Sequence, residues 1–203
     1  MIRCLAFDVG NVIWRFKKPL TYFRHRHASL LGIRYSLYWQ KCQQVYQDFE
    51  TNRLDIYQWS RSINPQITRQ QIDNCLKNSL SHIRFEKHLN RRLIKLLKKL
   101  KPKFTLAMIS NCENFLFPYV HQHLVPIFHH SILSWQVGVS KPNPTIYQQI
   151  FKYGSWQPEE ILFVDDKPEN ILGAQSLGLN TILYQNYRQF LSDLQKYQIT
   201  VDS

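Results

Sequence analysis

Short apolar runs, separated by polar segments, recur along this chain. The first is Cys4-Leu5-Ala6-Phe7, which leads directly to Asp8. Further runs of the same kind stand at 104–109, 131–133, 161–164 and 181–184. Short runs with few polar residues are typical of parallel strands that are covered on both faces. The pattern therefore predicts an α/β fold built on a parallel sheet.

The segment between the first two runs has a helical pattern instead. Aromatic and aliphatic residues recur there at spacings of three and four, and no run is typical of a strand. Asp55 and Thr68 are placed to cap helices over Ile56–Ile63 and Arg69–Leu80. The sequence thus predicts a small bundle of packed helices.

The rest of the chain alternates between helix and strand patterns. Leucines recur on one face of a predicted helix near 89–100, while its lysines fall largely elsewhere, so we expect this helix to lie on the sheet. A further helix is predicted at 144–153. Together these patterns predict a core at 1–14 and 86–203, with a helical bundle at 15–85 inserted after the first strand.

Composition narrows the class of protein. With 203 residues, 44% of them hydrophobic, the chain is long enough for one domain with an insertion or for two small domains. No apolar run approaches the roughly 20 residues needed to cross a bilayer, and the N-terminus shows no targeting pattern. We therefore expect a cytoplasmic protein with no membrane contact. The four cysteines are widely spaced, which predicts buried thiols in a reducing compartment.

Charge is the unusual feature of the composition. The formal net charge is +12, and most of the excess falls in the segment 15–85. A basic surface attracts anions, which include phosphorylated metabolites and nucleic acid. An ordinary solvated face explains the charge equally well, so charge alone assigns no partner.

Polar side chains follow three of the predicted strands where each strand ends. They are Asp8, the pair Ser110-Asn111 and the pair Asp165-Asp166. Parallel β/α winding brings these strand ends to one edge of the sheet, where ligands bind in α/β proteins. A single aspartate at a strand end could simply cap a turn, but several carboxylates at one edge repel each other unless a cation lies between them. Mg²⁺ fits such a site because it prefers oxygen ligands and accepts phosphate oxygens.

Four short motifs in a fixed order extend this pattern. They read Phe7-Asp8-Val9-Gly10-Asn11-Val12, Ile109-Ser110-Asn111, Ser140-Lys141-Pro142 and Phe163-Val164-Asp165-Asp166. In these motifs the chain resembles the haloacid dehalogenase superfamily, from Ile2 to about Tyr184. Within it the chain is similar to the subgroup whose first motif reads Asp-x-Gly-Asn-Val, which includes α-glucose-1-phosphate phosphatases. The resemblance implies a three-layer Rossmannoid core with a helical cap inserted after the first strand.

The resemblance also implies roles for individual residues. Asp8 would be the nucleophile that attacks phosphorus and forms an aspartyl-phosphate. Mg²⁺ would be held by Asp8, the backbone carbonyl of Gly10 and one of Asp165 or Asp166. The groups that bind the phosphate would be Ser110, Asn111 and Lys141. Lys141 would also help to fix the nucleophile in place.

One position departs from the family pattern. Most phosphatases of the superfamily carry a second aspartate two residues after the nucleophile, which protonates the leaving group and later activates water, whereas this chain has Gly10. General acid–base catalysis contributes about 10²–10⁴ in rate, so the difference matters. Three explanations are open: a leaving group that needs little protonation, an acid or base from the cap or from solvent, or a weak enzyme that only binds phosphorylated ligands.

The inserted helices offer two candidates for substrate specificity. Arg15 belongs to a basic segment at the entry to the predicted cap, and Arg53 lies where the family has a loop that reaches towards the site. Pairs of histidines elsewhere lack the cysteine or carboxylate ligands that would complete a zinc site.

We therefore predict a Mg²⁺-dependent phosphatase that hydrolyses a small phosphorylated metabolite, with a sugar phosphate as the favoured substrate, and that is a monomer or homodimer. The alternative is a catalytically weak protein whose basic cap binds phosphorylated ligands, RNA or an acidic partner. As a partner, nucleic acid is less favoured than a small phosphorylated metabolite. A dehalogenase proper is disfavoured because that branch normally carries a tyrosine near the nucleophile, where Gly10 stands.

Overall fold

A parallel five-stranded sheet forms the centre of the computed structural model, which describes residues 1–14, 17–81, 87–119 and 121–200. The strands are β1 (Cys4–Phe7), β2 (Thr105–Ser110), β3 (His130–Leu133), β4 (Ile161–Asp165) and β5 (Asn180–Leu183). Their order in the sheet is β3-β2-β1-β4-β5, so β1 is central and parallel to both neighbours. The predicted parallel sheet is confirmed, and the bounds of each predicted strand lie within one residue of those observed.

Four helices occupy the described part of the predicted insertion, and no strand lies among those residues. They are α1 (Lys17–Leu30), α2 (Tyr35–Glu50), α3 (Ile56–Ile63) and α4 (Arg69–Leu80). Asp55 caps α3 by accepting hydrogen bonds from the backbone N–H groups of Tyr57 and Gln58. Thr68 forms a capping box with Gln71 at the start of α4. The predicted bounds of α3 and α4 are therefore confirmed.

The inserted helices have a hydrophobic cluster of their own. Its buried members include Phe23, Tyr38, Trp59 and Leu76, one from each helix. Leu116, from the segment that follows β2, joins the same cluster and so attaches the insertion to the core. Arg15 and Phe16, like 82–86, lie outside the described residues, so the division into cap and core stays a prediction.

The remaining helices flank the sheet. They are α5 (Arg91–Leu100), α6 (Ser134–Val137), α7 (Pro144–Gln148), α8 (Pro168–Gln175) and α9 (Tyr187–Lys196). Short 3₁₀ helices lie at Asn114–Tyr119, His121–His123, Val125–Ile127, Gln149–Tyr153 and Pro158–Glu160. The helix predicted at 144–153 is thus α7 followed by a 3₁₀ helix, because its last turns tighten, as helix ends often do.

Helices cover both faces of the sheet because the side chains of a strand alternate between the faces. Leu5 and Phe7 of β1 join the hydrophobic cluster that includes the leucines of α5 and Phe190 of α9. Cys4 and Ala6 join a second cluster, formed with α7 and α8. This is the three-layer α/β arrangement that the resemblance implied, with the inserted helices added after β1.

Several buried groups also bear on the predictions. All four cysteines are buried, as expected. His27 is buried within the insertion, where its ring nitrogens lie 3.2 Å from Tyr38 Oη and 3.0 Å from Ser60 Oγ, and burial lowers its pKa to about 4. Among the described residues, no helix combines the length and the apolar character that crossing a bilayer requires.

Candidate active site

The turn after β1 presents Asp8 at the edge of the sheet. The backbone N–H of Asp8 donates to the carbonyl of Val164 in β4, 2.8 Å away, so strand pairing continues to this residue. The N–H of Val12 then donates to the carbonyl of Gly10 at 2.7 Å, which closes a tight turn. Asn11 in this turn has a φ of 57°, a left-handed conformation that asparagine adopts more readily than most residues. The Asp8 carboxylate is thereby held where ligands bind in α/β folds.

Lys141 joins Asp8 to Asp165. Its Nζ lies 2.5 Å from Asp8 Oδ1 and 2.7 Å from Asp165 Oδ2, and its side chain is only 1% exposed. The side chain of Asn111 contacts the backbone of the loop Ser140-Lys141-Pro142, which we call the lysine loop. Its Oδ1 accepts from the N–H of Lys141 at 2.8 Å, and its Nδ2 donates to the Lys141 carbonyl at 3.1 Å. The structure therefore brings together one residue from each of the four motifs.

The loop that carries Lys141 packs closely against α8. A Cβ placed on Gly173 of this helix would lie 2.4 Å from the carbonyl oxygen of Pro142. Glycine is required for backbone segments to approach this closely. The contact seats the lysine loop against the helix that follows β4.

Asp165 and Asp166 have different surroundings. Asp165 is fully buried, and Asn170 Nδ2 lies 3.0 Å from its Oδ1 and 2.9 Å from its Oδ2. The backbone N–H of Lys167 donates to Asp165 Oδ1 at 2.9 Å, so this carboxylate has few directions left for another ligand. Asp166 is partly exposed, and its Oδ2 accepts from Asn11 Nδ2 at 2.9 Å.

A cavity of about 250 Å³ opens at this edge of the sheet. The core contributes Asp8, Gly10, Asn11, Asn111, Glu113, Lys141, Asp166, Lys167 and Asn170 to its lining. Helices α1 and α2 contribute Leu20, Arg24, Tyr46 and Glu50. The cavity therefore lies between the carboxyl ends of the strands and the inserted helices.

Negative charge exceeds positive charge at the aspartate cluster. Asp8, Asp165 and Asp166 offer carboxylate oxygens that all lie within 4.8 Å of one another. Burial raises the pKa of Asp8 above its usual range, with neighbouring carboxylates adding to the effect and Lys141 opposing it. Burial acts to lower the pKa of Lys141, but the two carboxylates that it contacts outweigh burial and raise that pKa above the usual value. The cluster fits a divalent cation such as Mg²⁺, and Asp8, Gly10 and Asp166 all line the cavity.

Two buried glutamates in this cavity were not among the predicted site residues. Glu50, the last residue of α2, accepts from Asn111 Nδ2 at 3.3 Å. Burial and the nearby charge of Glu113 raise the pKa of Glu50 to about 7, and burial also raises the pKa of Glu113. Glu113 follows the second motif by two residues, which was the one signal available for it. Glu50 begins the segment Glu50–Leu54, where the resemblance implies a loop that reaches towards the site, but Arg53 was the residue chosen from that segment.

The other predicted residues have varied positions. Ser110 is buried at the end of β2, and its Oγ donates to the carbonyl of Asn111 at 3.3 Å. Arg53 pairs with Asp48 at 3.2 Å and is not among the described residues that line the cavity. Arg15 lies outside the described residues. Among the described residues, the inserted helices thus reach the cavity through side chains other than Arg53.

Comparison with protein-family models identifies the class of protein that this fold and site define. Residues 2–178 match the model of the haloacid dehalogenase-like hydrolases. The chain therefore belongs to that family of hydrolases, as the four motifs predicted.

Two curated relatives illustrate the range of the family. The chain is 30% identical over 115 residues to bifunctional epoxide hydrolase 2 of Rattus norvegicus, a match that covers 53% of this chain and 21% of that protein. This chain thus spans about a fifth of the length of that relative. It is 24% identical over 204 residues to D-ribitol-5-phosphate phosphatase of Bacteroides thetaiotaomicron, which covers 96% of this chain and 97% of the relative.

Solved structures share the fold along nearly the whole chain. A HAD-like family hydrolase from Porphyromonas gingivalis superposes with a TM-score of 0.69 at 23% identity, covering 99% of this chain and 100% of the other. A HAD family enzyme from Bacteroides thetaiotaomicron, in complex with magnesium and inorganic phosphate, superposes with a TM-score of 0.69 at 18% identity, covering 94% and 99%. These similarities confirm the predicted α/β fold of the family.

Proposed function

We propose that this protein is a Mg²⁺-dependent phosphatase that hydrolyses a small phosphorylated metabolite through an aspartyl-phosphate on Asp8. The observation that carries the proposal is the placement of the Asp8 carboxylate, which contacts Lys141 and also lines the cavity. A carboxylate that served only as an ion-pair partner would need no access to substrate space. Two similar proteins support this proposal. A D-ribitol-5-phosphate phosphatase aligns with nearly the full length of this chain, and one structural neighbour was solved in complex with magnesium and inorganic phosphate.

The chain's own residues support two chemical steps. In the first, an oxygen of Asp8 attacks the phosphorus, and the leaving oxygen departs with the bonding electrons and takes up a proton. Lys141 orients the nucleophile and offsets the charge of the phosphoryl oxygens, which Ser110 and the backbone N–H of Asn111 would also bind. In the second step, water attacks the same phosphorus, which releases inorganic phosphate and restores the Asp8 carboxylate.

Mg²⁺ would be held by Asp8, Asp166 and the carbonyl of Gly10. When bound, the ion offsets the charge of the phosphoryl group during transfer. We assign a different task to Asp165, because its oxygens already accept from Lys141, from Asn170 and from a backbone N–H. It would keep the lysine in place for the nucleophile.

A sugar phosphate is the proposed substrate class, and glucose 1-phosphate is its first candidate. The subgroup resemblance favours it, and an anomeric oxygen departs more readily than an ordinary alkoxide. Glu50, Glu113 and Asn170 line the cavity with groups that can hydrogen-bond hydroxyls. The cavity volume of about 250 Å³ suits a small metabolite. Membership of a hydrolase family makes the alternative, a protein that only binds, the less favoured function.

Phosphate release tests this proposal. The protein is incubated with Mg²⁺ and a panel that includes glucose 1-phosphate, ribitol 5-phosphate and acetyl phosphate, and inorganic phosphate is measured. We expect turnover that chelation of Mg²⁺ abolishes and that falls by about 10³-fold or more in Asp8→Asn, because an amide is a poor nucleophile. Asp48→Asn, an acid-to-amide change outside the cavity lining, serves as the control. Full activity of Asp8→Asn would contradict the nucleophile assignment.

A further inference from the structure

The proposed reaction needs an acid for the leaving oxygen and a base for the attacking water, and Gly10 supplies neither. We infer that Glu50, at the end of α2, is the general acid and base of this site. The inference rests on the proposed phosphatase function. It assigns to an inserted helix the task that most phosphatases of the superfamily give to an aspartate of the first motif.

The titratable groups that line the cavity leave two candidates. Asp8 is the nucleophile, Lys141 donates to Asp8 and Asp165, and Asp166 is the proposed metal ligand. The cations Arg24 and Lys167 cannot take a proton from water in the second step. The nearby charges of Glu113 and Glu50 raise the pKa of Tyr46 far above its usual value, so this phenol does not become a base near neutral pH. Two glutamates remain.

Of these two glutamates, Glu50 is the one that contacts a residue proposed to bind the phosphate. Its Oε2 lies 3.3 Å from Nδ2 of Asn111, the residue whose amide holds the backbone of Lys141. The charges of Lys141 and Lys167 also act on Glu50. Glu113 is affected by the charge of Arg24 rather than by the two lysines, while both glutamates interact with Tyr46. Glu50 therefore lines the same cavity as Asp8 and contacts Asn111, one of the residues proposed to bind the phosphate.

The surroundings of Glu50 keep its carboxyl able to change protonation state. Burial and the like charge of Glu113 raise its pKa, while Lys167, Lys141 and Tyr46 lower it, and the balance is about 7. A general acid that must later act as a base works best when its pKa lies near the working pH.

The two steps balance with this one carboxyl group. As the bond between phosphorus and the leaving oxygen breaks, protonated Glu50 gives its proton to that oxygen, and the product leaves as a neutral alcohol. The resulting carboxylate then takes a proton from water while the water oxygen bonds to phosphorus. The bond from phosphorus to Asp8 breaks, and Glu50 is again protonated when inorganic phosphate is released.

A comparison of two leaving groups in Glu50→Gln tests the inference. Ribitol 5-phosphate releases a basic alkoxide that needs a proton, whereas p-nitrophenyl phosphate releases a weakly basic phenolate that does not. Because kcat/KM reports the first irreversible step, we expect the ratio of kcat/KM for ribitol 5-phosphate to that for p-nitrophenyl phosphate to fall by about 10²-fold. The ratio does not depend on the fraction of the preparation that is folded.

The same variant gives a second readout, because loss of the base slows hydrolysis of the aspartyl-phosphate. With p-nitrophenyl phosphate, Glu50→Gln should release a burst of p-nitrophenol equal to the enzyme present, followed by slow turnover. Asp48→Asn, which also replaces an acidic residue of α2 with its amide, should keep the wild-type ratio and show no burst. An unchanged ratio in Glu50→Gln overturns the inference and leaves the proposed function standing, since Asp8→Asn tests that function separately.

Discussion

Asp165 and Asp166 are neighbours in the chain, but their side chains lie in different surroundings at the residue scale. Successive side chains at the end of a strand point in opposite directions, so two adjacent carboxylates reach different partners. Asp165 accepts from Lys141 and Asn170 in the interior, and Asp166 accepts from Asn11 at the cavity. This difference separates a residue that holds the site together from one that is available to a metal ion.

We predict that amide variants of the two aspartates have different phenotypes. Asp165→Asn should lower the free energy of unfolding by about 2 kcal/mol, because both buried oxygens of Asp165 accept hydrogen bonds and an amide keeps only one acceptor oxygen. Asp166→Asn should leave that free energy nearly unchanged without Mg²⁺. Thermal unfolding with and without Mg²⁺ measures both effects.

Metal binding supplies the control for this pair. At a Mg²⁺ concentration of about 100 times Kd, the wild type should gain about 2.7 kcal/mol of stability, and Asp166→Asn should gain far less. An equal gain in the wild type and in Asp166→Asn would remove Asp166 from the proposed ligand set.

His27 predicts a pH dependence of stability that is independent of the active site. Its pKa in the folded protein is about 4, below the ordinary value of 6.5 that applies when the chain unfolds. The unfolded state therefore binds the proton more tightly, and the stability contributed by the neutral ring is present above pH 6.5 and is lost as the pH falls towards about 4. The expected loss from this one group is about 3 kcal/mol.

Urea unfolding at pH 7 and pH 4 measures this loss. His27→Gln keeps hydrogen-bonding groups for Tyr38 and Ser60 but does not titrate, so its stability should fall by about 3 kcal/mol less than that of the wild type over this range. His25→Gln, an exposed position on the same helix, should behave as the wild type. An equal fall in His27→Gln and the wild type would mean that other groups account for the acid sensitivity.

At the scale of elements, the contact between α8 and the lysine loop predicts the effect of a single methyl group. In Gly173→Ala the new Cβ would lie 2.4 Å from the Pro142 carbonyl oxygen, so the helix or the loop must shift. We expect the free energy of unfolding to fall by about 2 kcal/mol, and phosphate release to fall with it because Lys141 moves with its neighbour. Urea unfolding and the phosphate assay measure the two effects.

Leu172→Ala is the matched control for that prediction. Leu172 precedes Gly173 on α8 but is 65% exposed, so its truncation should change stability by no more than about 0.5 kcal/mol. If Gly173→Ala were as stable and as active as this control, the close approach would have no role in holding the lysine loop.

Element bounds were predictable where a side chain marks the end of an element. Asp55 and Thr68 each accept hydrogen bonds from backbone N–H groups, so the starts of α3 and α4 follow from local chemistry. The helix predicted at 144–153 has a marked start, because Asn143 caps it and Pro144 occupies its first turn. Its change to 3₁₀ geometry after Gln148 has no such mark, and the sequence did not reveal it.

At the scale of the whole molecule, the sequence predicted one side of the cavity and missed the other. Topology brings the ends of parallel strands to one edge, so Asp8 and Asp166 could be placed together from strand patterns alone. Arg24 and Glu50 reach the cavity from helices whose position over the sheet depends on tertiary packing. Helical periodicity shows which face is buried, but it does not show what covers that face.

The central position of β1 has a consequence for synthesis of the protein. On the ribosome, the strand that carries the proposed nucleophile emerges first, but its partner in β2 follows only at Thr105, and its partner in β4 at Ile161. At translation rates of about 5–20 residues per second, β2 is synthesised roughly 5–20 s after β1. The inserted helices emerge during this interval and can make local contacts. A nascent chain that stops before Asp166 lacks part of the aspartate cluster, so the proposed metal site is complete only after β4 has emerged.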